Sequence, residues 1–155
     1  MDKEIAEEDD WFDPSPFIED SRKLTEIIGE WPSFDDAEMV SLCLDRTDGS
    51  PHMPGSNSPT LSMTVRLAET GYFLAKIRFN NVVNLELSNF TYQNVIREIV
   101  FDRTQPNEWD PDGKLGTARL VVQIEAHCGM QAKFECKSAV VLSVVPCRKD
   151  GSVST

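Results

Sequence analysis

From residue 40 onward, apolar side chains recur at every second position, and this period settles most of what the chain can fold into. Val40, Leu42 and Leu44 alternate with Ser41, Cys43 and Asp45, and Leu61, Met63, Val65 and Leu67 alternate with Ser62, Thr64 and Arg66. Phe73, Ala75, Ile77 and Phe79 repeat the pattern, as do Val83, Leu85 and Leu87, then Ala118 to Ala126, then Ala132, Phe134 and Cys136, with Ala139 to Val145 closing the set. A pleated strand sends successive side chains to opposite faces, so each run can bury one face and wet the other. A helix cannot be built on that spacing. Asn80-Asn81, lying between two such runs, predicts a tight hairpin, because Asn tolerates positive φ. Tyr92 to Asp102 fits either a helix face or a strand buried on both sides, and its β-branched Val95, Ile96, Ile99 and Val100 favour the strand.

Up to Pro32 the pattern differs. Ser21 can cap a short helix whose Leu24, Ile27 and Ile28 share one face, with Gly29 and Pro32 to stop it. Trp11 to Ile18 reads as an extended segment laid on the domain, and Trp31 and Phe34 as core anchors of the connection from helix to strand. The expected fold class is α+β, mostly β: seven or eight strands in an antiparallel sheet curled into a sandwich or open barrel, with one short N-terminal helix. A single domain over residues 11–148 is expected, flanked by a disordered acidic tail at 1–10 and a C-terminal tail at 149–155. Residues 47–60 and 104–116 form long loops rich in Pro, Gly and polar residues.

Charge narrows the function classes. The net charge is −11, yet the first 20 residues hold nine acids against Lys3 alone, so −8 of it is local and the other 135 residues carry only −3. Replacing phosphate counterions needs surplus Lys and Arg, which argues against direct contact with nucleic acid or an anionic membrane. The longest apolar stretch, Ala139 to Val145, is too short to span a bilayer, and the acidic start does not resemble a secretory signal. A cytoplasmic location with reduced Cys43, Cys128, Cys136 and Cys147 is expected.

The residues that carry chemistry are sparse. His52 and His127 have no Ser, Cys or carboxylate at a recognisable spacing, and the cysteines form no C-x-x-C pair for zinc, so Cys43 and Cys136 read as buried apolar thiols. Glu108 to Gly113 looks like half a calcium loop but has Arg119 where a bidentate Glu is needed. Neither cofactor nor metal is expected. Asp36 and Glu38 would face one way on a strand, and with His127 they define the weaker reading of a hydrolase. The stronger reading is protein recognition, in which an aromatic anchors and flanking acids steer a basic partner. Trp109 among Asp102, Glu108, Asp110 and Asp112 is the best such cluster, and Asp36 and Glu38 join it as candidate partner-binding residues. A ligand-binding or purely structural β-domain is the alternative.

Gly29-Glu30-Trp31-Pro32-Ser33-Phe34-Asp35-Asp36-Ala37-Glu38-Met39 followed by Leu42-x-Leu44-Asp45-Arg46 resembles the immunity protein 50 family of bacterial polymorphic-toxin systems. A second block, Ile77-Arg78-Phe79-Asn80-Asn81-Val82 with Leu85, Leu87, Phe90 and Gln93-Asn94-Val95-Ile96, is similar to the same family downstream. The resemblance implies a cytoplasmic antidote that neutralises a toxin encoded beside it, a basic nuclease being one candidate, without catalysing a reaction. The chain departs from the family pattern at Asp35, where members tend to carry His.

Overall fold

The computed structural model describes residues 12–46, 59–68, 71–104, 119–150 and 152–153. A 3-10 turn at Ser15–Phe17 leads into β1 (Ile18–Glu19) and the helix α1 (Arg22–Ile28). The strands β2 (Glu38–Arg46), β3 (Pro59–Ala68), β4 (Tyr72–Asn80), β5 (Val83–Ser88), β6 (Val95–Arg103), β7 (Leu120–Cys128), β8 (Gln131–Cys136) and β9 (Ser138–Pro146) follow. They form one nine-stranded sheet in the order β1-β9-β4-β3-β2-β6-β7-β8-β5, not closed into a ring. All neighbours are antiparallel except β1 and β9, which run parallel.

Two short connections shape this sheet. Only Lys137 separates β8 from β9, although six strand steps lie between them in the order. At about 4.8 Å per step a flat sheet would hold their ends roughly 29 Å apart. Residues 81–82 join β4 to β5 across the same number of steps. The sheet therefore folds back on itself, with β1-β9-β4-β3-β2 as one layer and β6-β7-β8-β5 as the other. The crossings are tied together: Lys137 N–H donates to Asn80 O at 3.0 Å, and Asn80 Nδ2 to Ser138 Oγ at 3.0 Å. Phe79 of one layer meets Phe134 of the other edge-on at 5.0 Å. Around them Leu61, Met63, Val65, Ile77, Val122, Ile124 and Val141 fill the interior at 0–1% exposure.

The expected fold class stands, and several local expectations change. The Asn80-Asn81 pair makes a turn, with Asn81 at φ 58°, but not a hairpin, because the chain there leaves one layer for the other. Tyr92 to Asp102 is strand only from Val95, and residues 89–94 form a loop. Of the apolar face expected of Val40, Leu42 and Leu44, Leu42 packs against the core opposite Met63. Val40 falls in a bulge between Met39 and Ser41 and is exposed, as are Leu44 towards the end of β2 and Cys43, against the expectation of a buried thiol. β2 also meets β6 only at Glu38 and Val95, and a bond from Met39 N–H to Asn94 O extends that contact by one residue. Within the segment expected to be extended, Pro14 precedes the 3-10 turn.

The helix keeps its expected stop, with Gly29 at φ 103° donating to Thr25 O. Ser21 stands at its N-cap position without capping by its side chain, since Ser21 Oγ donates to Ser15 O instead. Leu24 is buried, and Lys23 Nζ reaches Leu142 O of β9 at 3.1 Å. Trp31 and Phe34 are core residues as expected, packed edge-on at 5.8 Å. The tail at 1–10, both long loops in all but their flanking residues, and Glu108, Trp109, Asp110 and Asp112 lie outside the described residues. No helix among the described residues is long and apolar enough to cross a membrane.

Phe134→Ala should lower unfolding stability by about 3–5 kcal/mol, read as a lower urea midpoint at unchanged m-value, because it empties the contact that joins the layers. Burial pushes the Cys136 thiol from 9.0 up to about 12. The folded state then keeps a proton that the unfolded chain loses, so this group makes stability fall as pH rises from about 9 towards 12. At pH 8 a thiol reagent should label Cys43 and Cys128 and spare Cys136 until the protein unfolds.

Candidate functional site

One corner of the fold gathers what the sequence scatters. Where β2 and β6 touch at a single residue pair, the chain just before β2 takes the place of a longer ladder. Asp36 N–H donates to Ile96 O, Ile96 N–H to Ala37 O, and Ile99 N–H to Ser33 O. Lining the edge of β6 in this way bends the segment sharply: Phe34 and Asp36 both adopt left-handed φ, 68° and 66°. For a residue as bulky as Phe that conformation costs on the order of 1–3 kcal/mol, which its full burial against Trp31 offsets. The bend turns Asp35 and Asp36 out to solvent.

β7 lines the other edge of β6. Val95 pairs with Cys128 and Ile96 with Ala126, so His127 is the extra residue of a bulge, a device that re-aims a side chain. His127 Nε2 lies 3.1 Å from Asp35 Oδ1 and 3.5 Å from Asp36 Oδ1. All three side chains remain open to water, at 45%, 59% and 79% exposure in the order His127, Asp35, Asp36.

The loop at residues 89–94 completes the corner. Asn94 is 4% exposed, and its side chain makes three hydrogen bonds: Oδ1 accepts from Thr91 N–H at 3.0 Å and Met130 N–H at 2.9 Å, while Nδ2 donates to Thr91 O at 2.7 Å. Its carbonyl accepts from Met39 N–H, so one residue ties this loop to β2 and to the β7–β8 turn. Gly129 in that turn sits at φ 91° because Asn94 leaves no room for a side chain. This pinned loop holds Tyr92 out at 97% exposure and Phe90 at 49%. Beside them Val40, Arg66 and Asp150 line a groove of about 390 Å³. Arg66 is held there by Glu38 at 2.7 Å and by Lys149 O, while hydrogen bonds from Ser152 lower the pKa of the exposed Asp150 carboxyl.

The candidates named from sequence separate accordingly. Asp36 belongs to this corner. Glu38 does too, as the ion partner of Arg66, and of the trio named in the hydrolase reading Asp36 and His127 lie 3.5 Å apart. Asp102 is exposed near the far end of β6 and accepts from Arg103 N–H. The sequence reading passed over Asp35, Phe90 and Tyr92 as contact residues. The available signal was the Thr91-x-x-Asn94 spacing after two exposed positions, which local side-chain hydrogen bonding favours as a turn. His127 joins acids 92 residues away in the chain, and no local pattern announces that.

A family profile described as Immunity protein 50 matches residues 20–147. No curated protein and no solved structure matches the chain.

Gly129→Ala would bring a methyl group to 2.5 Å from both Asn94 Oδ1 and Gln93 O. It should cost at least about 1–3 kcal/mol by strain and by loosening a buried amide, and should speed hydrogen exchange at Thr91 and Met130 before it affects the β3–β4 ladder.

Proposed function

The chain belongs to the immunity protein 50 family, and on that premise we propose that it binds a cognate toxin protein and neutralises it by covering the toxin's active cleft with the corner built from residues 34–38, 89–94 and 127–130. Tyr92 carries this assignment of the surface. An aromatic side chain at 97% exposure contributes nothing to the core, yet a loop fastened by a buried amide with three hydrogen bonds presents it. Aromatic anchors dominate binding energies, and a loop backbone already fixed loses little entropy on binding. Asp35 and Asp36, on the segment leading into β2, supply the acidic rim that steers a basic partner and sets its orientation. If that partner is a nuclease, these carboxylates occupy positions that substrate phosphates would take. Asp102, Glu108, Trp109, Asp110 and Asp112 are assigned to a second, steering contact on the same grounds of charge.

Co-expression with the toxin encoded beside it should protect cells and yield a complex that co-purifies. No protection and no complex would end the proposal. Tyr92→Ala should weaken that complex by about 30-fold or more, the size of a hot-spot loss near 2 kcal/mol, mainly through faster dissociation. Reversing Asp110 and Asp112 to Lys should instead slow association and flatten its salt dependence. Full affinity in the Tyr92 variant would move the interface elsewhere.

A further inference from the structure

We propose that Asp35, Asp36 and His127 form a binding site for a divalent transition-metal ion, with Zn²⁺ as the probe that fits best. This goes beyond toxin binding and does not depend on it. The three donor atoms lie within 4.8 Å of one another, with imidazole-to-carboxylate separations of 3.1 and 3.5 Å. Four ligands at about 2.0–2.1 Å from a tetrahedral zinc stand roughly 3.3–3.4 Å apart, so these separations already match two edges of such a shell. An imidazole nitrogen with two carboxylates is a donor set suited to Zn²⁺ and its neighbours rather than to Ca²⁺, which takes oxygen alone.

Two further observations separate this cluster from an ordinary surface ion pair. First, both carboxylates converge on one imidazole, and neither has a Lys or Arg partner among the described residues. Two carboxylates then share one small space, and a cation bound between them and the imidazole relieves their repulsion. Second, the donors are held before any ion arrives. Asp36 is bonded through its backbone to Ile96 on one edge of β6, and His127 sits in the bulge opposite Val95 and Ile96 on the other edge. Three protein ligands leave a fourth position open to water or to a donor group of a bound protein.

Titration of the full-length, metal-free, reduced protein with Zn²⁺ in a calorimeter should show a single equivalent bound. His127→Ala and Asp36→Asn should each weaken it by at least about tenfold, and Cys128→Ser should leave it unchanged. In the unaltered protein, Zn²⁺ should move the ¹⁵N resonance of His127 Nε2, and Co²⁺ should give a visible spectrum without thiolate charge-transfer bands. These two readouts remain decisive if a variant fails to fold. The absence of saturable Zn²⁺ binding, retention of affinity in folded His127→Ala, loss of affinity in Cys128→Ser, or an unmoved His127 resonance would each overturn the site.

Discussion

The one-residue link at Lys137 is the constraint on which the rest of the molecule depends. Two strands six places apart cannot be joined by a single residue unless the sheet doubles over. Once it doubles, β4 and β8 face each other and the Phe79–Phe134 contact becomes the centre of a core. The doubled sheet is least continuous at one seam. That seam falls between β2 and β6, which share one residue pair. Residues 33–37 then satisfy the backbone of β6 that a strand would otherwise cover.

The corner proposed to bind a toxin follows from that seam. Covering the edge of β6 with a bent segment instead of a strand requires left-handed turns at Phe34 and Asp36, and the same bend exposes two consecutive acids. On the opposite edge, the bulge that projects His127 lies at the end of β7, where the ladder is about to terminate. Asn94 then locks the neighbouring loop to both. Thus the same seam that interrupts the sheet sets three exposed polar side chains on backbone that is hydrogen-bonded to both edges of β6.

How much of this was legible in the sequence depended on whether the governing physics was local. Alternation is local, so β3, β4, β7, β8 and β9 are read with nearly correct faces, and Gly29 ends its helix as a left-handed cap should. Trp31 and Phe34 are recognised because large aromatics beside a helix stop have few places to go but inward. Strand order is not local. Asn80-Asn81 carries turn chemistry whether the next strand pairs beside the last or crosses to the other layer, so the hairpin reading fails although the turn is real. Val40 and Leu44 mislead for a related reason: the bulge that takes up Val40 and the exposed end of β2 that holds Leu44 are both tertiary facts.

The net charge of −11 takes on a different meaning against this corner. Long-range attraction scales with the summed charge and governs how fast a basic partner arrives, whereas the lifetime of a complex depends on what is desolvated in place. Most of the charge belongs to the first 20 residues, and within the folded part Glu38, Glu125 and Glu135 are paired with arginines. Asp35 and Asp36 are therefore notable less for their sign than for converging on one imidazole. Screening by salt would blunt the contribution of the acidic N-terminal segment and leave the Tyr92 contact nearly untouched, because burying an aromatic ring does not depend on the Debye length. Under the toxin-binding proposal, capture and retention thus fall to different parts of the chain, and only retention requires the seam between β2 and β6.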